Sequence, residues 1–210
     1  MSPEKKRLYA LIIVVLFSFI MVMEIGNFRA KQLAVNLAGD RVANAVAQAA
    51  AGLEGEKILD VIKTMDEAHP YYSEMRRQLI SIKESHELAD IYMLYKDEDK
   101  VQWFYVVDTR EESDPAHHSL GDIEKRASAA VEKTIRGKEA GIELYTSSLG
   151  TFVSSYEEIK DAQGVTFAVL AGDFKADELT AFLYLTRYVQ FGIIAFALLL
   201  IGGILFLTKK

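Results

Sequence analysis

The chain has 210 residues, 24 Lys and Arg against 30 Asp and Glu, and no cysteine. The missing thiols exclude disulfide staples and thiolate chemistry, and the acidic balance argues against nucleic acid as a partner. This length holds one domain of ordinary size plus accessory segments.

Two of those segments are apolar runs of membrane-spanning length: LYALIIVVLFSFIMVMEI at Leu8–Ile25 and YVQFGIIAFALLLIGGILFL at Tyr188–Leu207. The second carries no charge, and the first only Glu24 near its end. The first run exceeds a signal-peptide core of roughly 7–15 residues and is followed by no A-x-A-like site, so it reads as an uncleaved anchor. Lys5, Lys6 and Arg7 precede it, and Lys209 and Lys210 follow the second run. By the positive-inside rule both termini are expected in the cytoplasm. The expected organisation is a cytoplasmic N-terminus (1–7), a first span (8–26), an extracytoplasmic domain (27–187), a second span (188–208) and a cytoplasmic end (209–210). The middle segment holds 19 basic and 28 acidic residues, a formal charge of −9.

From the first span, Phe28 to Ala51 reads as one long helix. Val35, Ala38, Val42, Ala45 and Ala49 recur by three and four residues, a stripe that suits either a coiled-coil seam or packing on the protein's own sheet. A homodimer through this helix follows from the first reading. Gly52 and Gly55 interrupt the pattern, a short helix follows from Glu56 to about Glu67, and Pro70 opens a third with Met75, Leu79, Ile82 and Leu88 on its buried face.

The stretch Ile91–Asp108 (IYMLYKDEDKVQWFYVVD) sets two aromatic and β-branched runs around the charged turn Asp97–Lys100, the pattern of a hairpin. Strict alternation places Val101, Trp103, Tyr105 and Val107 on one face and Gln102, Phe104, Val106 and Asp108 on the other. Both faces are mostly apolar, so each needs a cover. An irregular stretch, Thr109–Gly121, precedes a helix predicted from Asp122, its cap, to Arg136, with Gly137 at its end. Strands follow at Ile142–Thr146, Thr151–Ile159 and Val165–Phe174, joined by turns at Ser147–Gly150 and Asp161–Gly164. Short turns require antiparallel neighbours, so the fold class is α+β with a five-stranded antiparallel sheet. Asp177 is read as the cap of a last helix that runs into the second span.

This order, with the phrases GLEGEKIL, YYSEM, IYMLY, FYVVD, SLG and GVTFAVLAGDF, resembles the single Cache (PAS-like) extracytoplasmic sensor domains of bacterial transmembrane receptors. The resemblance covers the whole segment between the spans. It implies a central sheet with the long helix on one face and a small-molecule pocket on the other, two spans flanking it, and a role in signal transduction. It also implies that Asp173 helps to hold the ligand, often an amine. The residues alone equally allow Asp173 to end its strand at the solvent and cap a turn.

Arg110, His117, His118 and Ser119 lie in the loop that folds over the pocket in this family; Arg suits a carboxylate, and His donates or binds metal. Tyr105, Tyr145, Ser154 and Tyr156 complete the expected ligand-binding set with Arg110, His117, His118 and Asp173. Trp103 reads as packing, and His69 and His86 as surface residues. No G-x-S-x-G, H-E-x-x-H, P-loop or G-x-G-x-x-G motif is present, so no catalyst, cofactor or metal is expected. The expected function is a membrane-anchored receptor module that binds an amino acid, amine or organic acid and signals through its spans to a module or partner. The alternative is a membrane subunit whose domain binds another ectodomain and no small molecule. Such relatives usually continue past the second span into a signalling module; this sequence reads either as the sensor half of a larger receptor or as a stand-alone subunit.

Overall fold

The structure is a computed structural model that describes residues 3–97, 101–125, 127–138 and 141–207. The centre of the predicted charged turn, 98–100, and the basic pair Lys209 and Lys210 lie outside the described residues. The chain divides into two compact units: Val35–Asp177, and the two terminal segments up to Ala34 and from Glu178 onward.

Helix α1 (Pro3–Ala51) is continuous, followed by α2 (Gly55–Thr64) and α3 (Pro70–Ser85). Strands β1 (Asp90–Asp97), β2 (Gln102–Asp108) and β3 (Ile123–Glu124) precede α4 (Ala129–Thr134). Strands β4 (Glu143–Ser147), β5 (Gly150–Lys160) and β6 (Thr166–Lys175) lead into α5 (Asp177–Leu207). All strands join one antiparallel sheet in the order β3-β2-β1-β6-β5-β4. The α+β class and the long first helix are as expected, with six strands in place of five.

The sixth strand replaces the start of the predicted Asp122–Arg136 helix. Ile123 and Glu124 pair with Phe104 and Trp103, and the helix is only the six residues of α4. Asp122 is therefore no helix cap; Ser128 takes that role, its hydroxyl accepting from Val131 N. The backbone of Asp122 instead bonds Tyr105 N. Ladder hydrogen bonds to β2 have won over the helical register expected at Ile123 and Glu124.

One face of the sheet is covered by α1, α2 and α3. Val42, Ala45, Val46 and Ala49 of α1 join Ile58 and Val61 of α2, Met75 and Leu79 of α3, and Ile91, Met93 and Leu170 of the sheet in one buried core. The lower part of the small-residue stripe thus packs on the chain's own sheet. α1 can come this close because β6 carries Gly172, where a Cβ would lie 2.7 Å from Val46 Cγ1 and 3.0 Å from Val42 Cγ1. Gly172→Val should destabilise the fold by about 1–3 kcal/mol through overpacking. A melting temperature equal to that of the unaltered chain in a thermal denaturation experiment would contradict this packing.

α3 begins with Pro70 at its first position, and His69, expected on the surface, caps it by accepting from Tyr71 N through Nδ1. It ends at Ser85; Leu88 lies past the helix yet still reaches the core, because Leu88 N bonds back to Lys83 O.

The opposite face holds a smaller cluster of Leu94, Trp103, Tyr105, Val131 and Val169. Here strict alternation along β2 fails. Met93 faces Val107 but Leu94 faces Tyr105, so Val106 is the extra residue of a β-bulge. Val106 and Val107 both enter the helix-side core, and Asp108 comes opposite Tyr92. The bulge redirects Asp108, and the loop after it, to the other side of the sheet.

Within the second unit, α1 and α5 each contain a segment long and apolar enough to cross a membrane, with no part of it buried. Asn27 and Gln190 exchange amide hydrogen bonds of 2.6 and 3.2 Å, and one helical turn away Arg187 meets Glu24 at 3.3 Å.

Candidate functional site

The face opposite α1 contains a cavity of about 350 Å³. Its floor is the sheet. Reading across strands in register, Glu143 of β4 faces Ser154 of β5, Ser154 faces Asp173 of β6, and Asp173 faces Asp90 of β1. Two residues along, Tyr156, Ala171 and Tyr92 form a parallel row. Side chains directly opposite on antiparallel strands share a face, so a polar row lies beside an aromatic one with an alanine between its two rings.

Asp173 is not at the solvent: it is 1% exposed and lies within β6. Its carboxylate accepts from the Ser154 hydroxyl and from the Tyr145 hydroxyl at 2.9 Å. Burial pushes its pKa up, and the bonds from Ser154 and Tyr145 and the charge of Arg110 oppose the rise. Asp90, also 1% exposed, accepts from Thr109 Oγ1 at 2.9 Å through one oxygen. Its other oxygen lies 3.1 Å from Arg110 Nη2 but receives no directed hydrogen bond. Burial and then the neighbouring Asp108 push the Asp90 pKa up to about 7, with Arg110 and Thr109 opposing.

The roof comes from the loop after β2. Asp108, fully buried, accepts from Arg110 N at 2.7 Å and from His118 N at 3.0 Å, so one carboxylate pins both ends of the loop. From behind, Arg76 of α3 donates to the carbonyls of Asp108 and Arg110, and Lys83 to that of Thr109. Arg110 also donates to Ala116 O at 2.7 Å, and the His118 ring stacks on Tyr105 with centroids 4.0 Å apart. A loop that looked irregular in sequence is held by side chains at several of its backbone groups.

The side walls are the edge strands and α4. Tyr105 donates to Glu124 at 2.6 Å, and Tyr156 to Glu143 at 2.7 Å. Burial and then these carboxylate acceptors raise the Tyr105 hydroxyl, and burial with Glu143 raises that of Tyr156. Ala127, Ser128 and Val131 close the remaining side. Trp103, read as packing, is buried and also latches α4 by donating Nε1 to Glu132, which Lys96 grips at 2.9 and 3.1 Å.

Of the eight expected site residues, Tyr105, Arg110, His118, Tyr145, Tyr156 and Asp173 line this cavity. Ser154 and His117 are not among the lining residues; Ser154 reaches the site through its hydrogen bond to Asp173. Asp90, Tyr92, Glu124 and Glu143 also line it and escaped the sequence reading. Sheet parity pointed to Asp90 and Tyr92 once β1 was paired with β6; nothing in the sequence announced the partner strand of Glu124. A second depression, of about 450 Å³, lies beside Asp40, Lys138 and Glu157 and gathers no fully buried charge.

No protein-family model matches the sequence, and no curated protein matches it. Among solved structures, the chain is similar to the ligand-binding domain of the Campylobacter jejuni chemoreceptor Tlp3 in complex with L-valine. That likeness has a TM-score of 0.46 and 10% identity, covering 87% of this chain and 68% of that one. It is also similar to the ligand-binding domain of the Pseudomonas aeruginosa PAO1 amino acid chemoreceptor PctC in complex with GABA. There the TM-score is 0.44 and the identity 20%, with 78% and 63% of the two chains covered. A third similar structure is the periplasmic domain of RsbU from Chlamydia trachomatis, with a TM-score of 0.36, 12% identity, and 76% and 59% covered. The first two are ligand-binding domains of chemoreceptors.

Proposed function

We propose that this protein is a two-pass membrane sensor whose extracytoplasmic domain binds a small molecule carrying a protonated amine. The observation that carries the reading is the cavity floor: two carboxylates, Asp90 and Asp173, each 1% exposed, open onto a space of about 350 Å³ walled by tyrosines. Buried charge is costly unless compensated, and a cavity that concentrates it favours a cation. Specificity and orientation then come from the fixed loop that carries Arg110 and His118.

Both termini lie in the cytoplasm in this reading, in line with the basic residues at each end. Asp173 is four residues ahead of the start of α5, and α1 runs unbroken from the first span to the sheet. A ligand that prefers one seating of β6 against the sheet therefore biases the two helices, as a small slide or rotation. The half-buried part of the α1 stripe, Val35 and Ala38, gives a homodimer a place to form. The role assigned is binding, without catalysis.

The test is a thermal-shift screen of the full chain against amino acids, amines, dicarboxylates and divalent metals. Binding to the folded state alone stabilises it by about 2.7 kcal/mol at a hundredfold excess over Kd. One amine-bearing class should raise the melting temperature, and Asp173→Ala should abolish that shift. If no metabolite shifts it, and a second membrane protein does, the domain is a protein-interaction module.

A further inference from the structure

The charge lining the cavity is unbalanced. Among the described residues, Asp90, Asp173 and Glu143 face it with the guanidinium of Arg110. That guanidinium is already engaged, 3.1 Å from Asp90 by Nη2 and donating to Ala116 O by Nη1. A ligand carboxylate brought to Arg110 would also approach Asp90 and Asp173, and repulsion at such distances in a poorly hydrated site is strong. Meanwhile the buried Asp90 Oδ2 still accepts no hydrogen bond. An ammonium group has three donors to offer it.

The second pole lies along the same row. Glu143 is two strands from Asp173 in direct register, with the small Ser154 between. Strand spacing sets their Cα atoms about 10 Å apart. The neighbouring row, Tyr156–Ala171–Tyr92, leaves a trough over Ala171 between two rings, and aromatic faces attract cations. Glu124, by contrast, sits on the opposite edge strand, β3.

We infer that this site takes a linear dication, one ammonium at Asp90 and Asp173 and the other at Glu143, and that Arg110 serves the protein as an internal counter-ion. This deepens the sensor reading and rests on it. Organic acids and zwitterions are then disfavoured by the same charges that hold a diamine.

The experiment is calorimetric titration of the full chain in lipid nanodiscs with 1,4-diaminobutane, 1-aminobutane, 4-aminobutanoate and succinate. The diamine should bind about tenfold more tightly than the monoamine, and the two carboxylate-bearing probes should give no saturable heat. Glu143→Gln should bring diamine and monoamine to within about threefold, while Glu74→Gln, an exposed position on α3 at the other face of the sheet, keeps the preference. Binding of 4-aminobutanoate or succinate as tightly as the diamine overturns the inference, as does a preference that survives Glu143→Gln. A hit from the amino acid or dicarboxylate classes, lost in Asp173→Ala while the diamine is silent, overturns the dication alone and leaves the sensor standing. Silence of every class overturns both.

Discussion

Asp108→Ala should lower the stability of the sheet domain by about 3 kcal/mol and abolish ligand binding. The carboxylate is fully buried and serves two backbone donors, Arg110 N and His118 N. Its removal leaves two N–H groups without partners, at about 1–3 kcal/mol each, and neither residue is fully exposed to water as a substitute. The same two bonds decide where Arg110 and His118 point, so the roof of the cavity goes with them. In a chain of this size a 3 kcal/mol loss lowers the melting temperature by roughly 6–12 °C. Asp108→Asn should sit between: its amide oxygen keeps one bond, while its NH2 group faces the other donor. Circular dichroism melts of the three proteins, with a ligand titration on each, would decide it; an Asp108→Ala protein that melts within a degree of the unaltered chain would sink this account of the loop.

Element types were legible because burial wrote them into the sequence. β1 and β6 sit at the centre of the sheet with both faces covered, and both read as near-continuous apolar runs. The turns around Gly150 and Gly164 were legible because both glycines adopt positive φ, a backbone region that other side chains rarely enter. Two local decisions were not legible. Val106 looks like any other strand valine, and only the pairing of Leu94 with Tyr105 makes it a bulge. Ile123–Glu124 carries no strand signal of its own and pairs because Tyr105 presents an open edge. Both decisions bear on the site. The bulge redirects Asp108, and the short strand delivers Glu124. Asp173 could be singled out as a carboxylate on an apolar strand face, whereas Asp90 and Glu143 acquire meaning only through the register that sets them in its row.

Acidification from pH 7.5 toward pH 5 should stabilise this domain, opposite to the usual behaviour of surface carboxylates. An unfolded Asp titrates near 3.9, while burial and the charge of Asp108 push Asp90 up to about 7, and burial raises Asp173 as well. A folded state with the higher pKa holds its proton more tightly than the unfolded chain does. Its stabilising contribution is therefore complete below about pH 4 and is lost as pH rises through 7. Glu158, held below the ordinary range by its Lys160 partner, and Glu132, held there against its burial by Lys96 and Trp103, work the other way, but their side chains are 28% and 33% exposed and solvent screens both pairs. Thermal melts at half-unit steps should show a rising melting temperature as the pH falls across this window. Asp90→Asn, which mimics the protonated acid, should flatten most of the slope; a melting temperature that declines steadily from pH 7.5 to 5.5 would rule the effect out. The same imbalance ties stability to binding. An ammonium group at Asp90 and Asp173 supplies at neutral pH the positive charge that protons supply at pH 5. The thermal shift from a cationic ligand should therefore be largest at pH 7.5 and shrink as protons take its place.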